Sequence, residues 1–169
     1  MATTQTSKNQ IHTTPAGADP GDAIALLTAD HEKVSGLFEE YERLGARATA
    51  SKKKIATQIC LELTKHATAE EEIFYPAVRA ASKDAEDLVD EASVEHASAK
   101  DLIAQILGME PGDALYDAKV KVLSEYIKHH VGEEEGEMFP KARQLGLDLA
   151  ALGQAIEQRK AEVQLPFIQ

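Results

Sequence analysis

HATAEEEIFYP, His66 to Pro76, has a counterpart downstream in HVGEEEGEMFP, His130 to Pro140. In both strings a His is followed by Glu at plus four and plus five and by Pro at plus ten, with Phe close before the proline. Residues four apart on a helix share a face, so His66 with Glu70, and His130 with Glu134, each present two donor groups to one side. Further outward, a lone His precedes each string. His31 lies 35 residues before His66, and His96 lies 34 before His130. Each half of the chain therefore reads as a helical hairpin, with one His on its first helix and a His-x-x-x-Glu on its second.

The surrounding sequence supports four long helices and a short fifth. Asp19 as cap, Pro20 at the first helical position and Asp22 in the first turn predict a helix over 20–44, stopped by Gly45. Ser51 is placed to cap a second helix, whose apolar Ile55, Ile59, Leu63, Ile73 and Phe74 follow helical spacing and which should end or kink near Pro76. A third opens at Ser82 and ends at Pro111-Gly112, a fourth opens at Asp113 and closes at Gly146, and a fifth covers about 148–163. No β-branched alternation marks a strand. The expected fold is all-α: an antiparallel up-and-down four-helix bundle with a short extra C-terminal helix, over residues 19–165. Residues 1–18 are Thr-, Ser-, Gln- and Ala-rich without apolar period and read as a flexible tail holding an idle His12.

Composition narrows the partners. A net charge of -11 over 169 residues, with no basic cluster larger than Lys52-Lys53-Lys54, speaks against nucleic acid and anionic membranes. That short run reads as an exposed helix start. Neither a membrane span nor a signal peptide is visible, so a cytoplasmic location is expected. A single cysteine, Cys60, leaves no disulfide and no thiolate cluster. Histidines and carboxylates must carry the chemistry.

Packing the two hairpins together brings four His and two Glu into one core. Two ionised carboxylates there would each cost several kcal/mol by desolvation unless paired or coordinated, and no Lys or Arg recurs at matching positions. A pair of divalent or trivalent cations neutralises both; imidazole with carboxylate suits iron, manganese or zinc. Six protein ligands for two ions leave open positions for a small molecule.

LTADHEKV at His31, HATAEEEIFYP, VEHASAK at His96 and HHVGEEEGEMFP together resemble the hemerythrin-like, or HHE cation-binding, family over roughly residues 20–145. The resemblance implies two Fe ions with an oxo or hydroxo bridge in a four-helix bundle. It implies His31, His66, His96 and His130 as terminal ligands and Glu70 and Glu134 as bridges. The oxygen carriers of the family have a fifth His one turn after the third-helix His, where this chain has Lys100. They also use an Asp five residues after the fourth-helix His, where this chain has Glu134 at plus four. Relatives with reduced His sets include peroxide-consuming, nitric-oxide-linked and iron- or oxygen-sensing proteins.

Other residues carry two readings each. His129 with Glu133 repeats the four-residue spacing, but the ten-residue distance to the proline selects His130 and leaves His129 facing solvent. Tyr126 and Glu62 stand one turn before His130 and His66; each either hydrogen-bonds a ligand from behind or simply lines the core, and Tyr126 also offers a phenol as ligand or electron donor. Lys100 either aims its charge at an open coordination position or snorkels to solvent. Glu71, Glu72, Glu133, Glu135 and Glu137 read as a solvated acidic face, Cys60 as packing, and Phe74, Tyr75, Met138 and Phe139 as core. Three functions follow: a di-iron protein handling O2, H2O2 or NO, including peroxide disproportionation; an iron or oxygen sensor or iron-binding module without turnover; and a zinc or manganese protein doing hydrolytic or structural work.

Overall fold

The structure, a computed structural model, describes residues 21–165. The tail, His12 and the Asp19-Pro20 start lie outside those residues. The helices are α1 (Ala23–Glu42), α2 (Thr49–Ala69), α3 (Tyr75–Ala81), α4 (Glu86–Leu107), α5 (Tyr116–Glu133), α6 (Phe139–Gln144) and α7 (Leu149–Glu162). Among the described residues there is no strand, and no helix is long and apolar enough to cross a membrane. The chain is an all-helical bundle in which α1 packs on α2 and α5, and α4 on α2 and α5.

Several helix starts differ from the expected ones. α1 is capped by Asp22, whose extended backbone lets its carboxylate accept from Ala25 N at 2.7 Å. α2 opens at Thr49 behind Ala48 without a side-chain cap, so Ser51 already lies inside the helix. Ser82 precedes a 3-10 turn, Lys83–Ala85, that leads into α4. Asp113 turns back to accept from Glu110 N at 2.8 Å, and α5 begins only after Leu115, whose φ is 72°. The C-terminal signals hold better: Gly146 adopts φ 68° just past α6, and Asp148 caps α7 through Ala151 N. Lys52 is buried rather than exposed, bonded to Asp117 at 2.7 Å and lying over the Tyr41 ring.

Neither proline ends its helix. Glu70–Phe74 and Glu134–Met138 are π-helical turns, and in each the last bond runs from the residue before proline back to the ligand-position Glu: Tyr75 N to Glu70 O, and Phe139 N to Glu134 O. The wider turn carries the chain past Pro76 and Pro140, which have no N–H to offer, and α3 and α6 continue onward.

The core is divided into two apolar lobes. One gathers Ala23, Ile24 and Leu27 with Phe74, Val78, Val89, Phe139 and Ile156; the other gathers Val34, Phe38, Ile59, Cys60, Ile103, Tyr116 and Leu123. Each fully buried Val, Leu, Ile or Phe side chain contributes about 1.5–3 kcal/mol. Between the lobes lies a layer of buried histidines and carboxylates.

Candidate metal centre

α1, α2, α4 and α5 supply His31, His66, His96 and His130, and the two π-turns supply Glu70 and Glu134. All six are buried, the two carboxyl residues almost completely, at 0% and 1% exposure. Nε2 of His31 faces Nε2 of His66 at 3.1 Å, and Nε2 of His96 faces Nε2 of His130 at 3.0 Å. The carboxylates join the pairs crosswise. Glu70 Oε2 lies 3.2 Å from His66 Nε2 and 3.4 Å from His96 Nε2, and Glu134 Oε2 lies 3.3 Å from both His31 and His130 Nε2.

Every imidazole is held from behind by another carboxylate. Nδ1 of His31, His66, His96 and His130 meets Glu135 at 2.8 Å, Asp30 at 3.1 Å, Glu71 at 3.0 Å and Glu95 at 2.7 Å. An ionised carboxylate only accepts, so each Nδ1 carries the proton and donates it. Nε2 is thereby turned inward as the free donor, the arrangement in which metal-ligating histidines are held.

Two neutral imidazoles with protonated Nδ1 would face each other lone pair to lone pair at 3 Å, so a cation belongs between them. An ion taking nitrogens at about 2.0–2.1 Å places two of them about 3 Å apart when the bonds meet near a right angle. Glu70 Oε1 and Glu134 Oε2 are buried without a hydrogen-bond partner, a costly state that coordination relieves. Protons compete for the same places. Burial would lower the His66 pKa, but Glu70, Asp30 and Glu134 outweigh it and push it up to about 10; His130 is likewise pushed up to about 9 by Glu134, Glu70 and Glu95 against its burial. Burial raises both carboxyls, and the charge of Glu134 raises Glu70 further, yet the surrounding imidazoles hold Glu70 below the usual carboxylate range and Glu134 well below it. The donor set fits metal cations.

Tyr75 reaches the centre. Its hydroxyl donates to Glu134 Oε1 at 2.7 Å and stands 3.3 Å from His96 Nε2. Burial, then the charges of Glu70 and Glu134, push its pKa far up, so the phenol stays neutral. Its ring packs on His96, as Phe139, the equivalent residue of the second repeat, stacks on His31. One half of the centre thus carries a hydroxyl that the other lacks. Beside the imidazoles lies a cavity of about 30 Å³ walled by Val34, Leu63, Ala67, Ala99 and Ile103, with Lys100 at its edge.

The flanking candidates fall out differently. Tyr126 is 50% exposed: the inward stripe of α5 runs through Leu123, Ile127 and His130, which leaves Tyr126 on its flank beside Val94 and Ser98. Glu62 is buried but turned to Lys33 at 2.7 Å and Gln58 at 2.6 Å. Lys100 is half-exposed and bonds Glu71, and through it meets His96. His129 is exposed and pairs with Glu133.

Glu71 and Glu135, read as solvated, hold His96 and His31; the His96 hydrogen bond is the main cause that brings the Glu71 pKa down to about 2. Asp30, Glu95 and Tyr75 were not read as site residues either. The repeat carried the signal. Asp30 and Glu95 each precede a lone His and hold the second His of the same hairpin, whereas Glu71 and Glu135 each follow a ligand-position Glu and hold the lone His of the opposite hairpin.

Residues 22–142 match the hemerythrin HHE cation binding domain. A DNA nickase of Nostoc sp. (strain PCC 7120) is 32% identical over 120 residues, 70% of this chain; the chain spans about a third of that protein's length, 32%. The crystal structure of a hemerythrin HHE cation binding domain-containing protein from Mycobacterium kansasii, an Rv2633c homolog, superposes with a TM-score of 0.70 at 22% identity, covering 83% of this chain and 86% of that one. At that identity the likeness speaks for the fold. With its duplicated His-x-x-x-Glu, its buried donor layer and the match over most of its length, the chain belongs to the hemerythrin HHE cation-binding family.

Proposed function

We propose that this protein is a non-haem di-iron protein that handles a small oxidant, O2, H2O2 or NO, in an antiparallel up-and-down four-helix bundle to which α7 is the short addition. His31, His66, His96 and His130 are the terminal ligands of an oxo- or hydroxo-bridged pair, and Glu70 and Glu134 bridge it. The observation that carries this reading is the crosswise carboxylate pair, each Glu reaching one imidazole of each facing pair. A bound iron pair supplies Lewis acidity and redox cycling.

The chain's own residues prepare the site for a small, weakly polar ligand. The apolar cavity has room for about one or two water-sized molecules and offers few groups to hold water. Tyr75 keeps its proton and directs it at Glu134, next to His96. The four outer carboxylates fix the tautomer and aim of the imidazoles. Lys100, half-exposed at the cavity edge, offers a proton path to solvent.

Iron-loaded protein mixed with H2O2 should evolve oxygen while its near-ultraviolet absorption is retained. Retained absorption without oxygen evolution, together with a metal-dependent melting temperature, favours the module without turnover. One finding supports that second reading: the match covers 32% of the Nostoc relative's length, so a domain like this one also stands as part of a longer protein. DNA is left out of both readings, because a net charge of -11 opposes a phosphate backbone. Manganese or zinc in place of iron would show as a different metal in protein purified from unsupplemented cells.

A further inference from the structure

The two halves of the centre are braced unequally. Glu70 and Glu134 each reach one imidazole of each half, so the inequality lies in what stands behind the imidazoles. α7 reaches one of the four outer carboxylates, Asp30 of the first half, and also the π-turn that carries Glu70. Lys160 Nζ spans both oxygens of Asp30 at 2.5 and 2.6 Å, and Asp30 holds His66 Nδ1. One residue earlier, Arg159 makes two bonds to Glu72, at 2.6 and 3.1 Å, in the π-turn that carries Glu70. The helix can lie this close because a Cβ at Gly153 would collide with the Gly21 carbonyl oxygen. Ile156 anchors it in the apolar lobe beside the centre.

The other half has weaker supports. Glu95, behind His130, meets the exposed His129 at 3.5 Å rather than a lysine. Glu71, behind His96, does pair with Lys100, but that pair is 48% and 30% exposed against 20% and 14% for Lys160 and Asp30. Solvent screens the exposed pair far more than the sheltered one. α7 also lies beyond residues 22–142, so its clasp is an addition to the matched domain.

We propose that α7 is a clasp that makes the two metal positions unequal: the position between His31 and His66 retains its ion, and the position between His96 and His130 is the exchangeable one, which yields first to an exogenous ligand. Lys160 is the positioning residue, acting on His66 through Asp30. The inference rests on the paired centre proposed above.

Protein loaded with Co2+ and challenged with excess chromogenic chelator tests it. Wild type should release two ions per chain in two phases. Lys160→Met should accelerate the slow phase by about 10-fold, the low end of the effect of losing a group that itself holds a metal ligand, and leave the fast phase unchanged. Lys160→Arg should restore the slow phase, and Lys100→Met should not touch it. Far-ultraviolet circular dichroism and the unchanged fast phase distinguish this from misfolding. Single-phase release of both ions from wild type, or a slow phase unmoved by Lys160→Met, overturns the clasp. A chain that takes one ion removes the paired centre and still tests the clasp: that ion must leave slowly from wild type and quickly from Lys160→Met. A chain that takes none removes both.

Discussion

His129 and His130 are adjacent in sequence and opposite in environment, the first exposed and the second 4% exposed with Nε2 on the centre. His130→Ala should abolish stoichiometric metal binding and His129→Ala should preserve it, as counted by elemental analysis; equal losses in the two would refute the register. Proton release offers a check on the same residues. His66 and His130, at about 10 and 9, sit above the ordinary imidazole value of about 6.5. Their protonation stabilises metal-free protein fully below that value, and the stabilisation is lost as pH rises through 9 to 10. A metal must displace those protons, so its apparent affinity should climb as pH rises and level off above about 10. Loading near pH 7.5 in weak buffer should acidify the solution, and a flat pH would count against these imidazoles as ligands. Tyr75→Phe leaves Glu134 one donor short and should cost about 1–3 kcal/mol, read from urea unfolding of metal-free protein. At this scale the six donors were legible because spacing and duplication converge on them. The outer carboxylates were not, since Glu71 and Glu135 look like any acidic helix surface until the opposite hairpin is in place.

The two π-turns set the element scale. Each holds one residue more than an α-helical path would need, begins at the ligand-position Glu four residues after its His, and closes on the carbonyl of Glu70 or Glu134. Removing Gly136 should let the second turn relax to α-helix with the downstream register kept. Circular dichroism should then be nearly unchanged, while metal retention falls because Glu135 leaves His31. Loss of helical signal would mean that the turn is needed for folding itself. Proline at plus ten predicted an end or kink, and the physical outcome is a widened turn that bypasses the missing N–H. The helices themselves were legible from apolar spacing. Their first residues were not, because an Asp or Ser near a helix start can serve another group: Asp22 caps α1, while Asp113 serves Glu110 N instead of α5.

For the whole molecule, the buried polar layer ties folding to metal. Two apolar lobes flank carboxylates that carry orphaned oxygens, so an ion that satisfies them stabilises the native state. A metal at a hundredfold excess over its Kd contributes about 2.7 kcal/mol, and each kcal/mol moves the melting temperature of a chain this size by about 2–4 °C. Chelation should therefore lower the melting temperature by several degrees and reloading should restore it. No such change is expected in a His66→Ala, His130→Ala double variant. The most direct test of the paired centre is native mass spectrometry of the chain after anaerobic loading with Fe2+. Two ions per chain, reduced to none or one when Glu70 and Glu134 are both replaced by Ala, is the predicted result; no bound iron, or two ions still held by the double Ala variant, would contradict it.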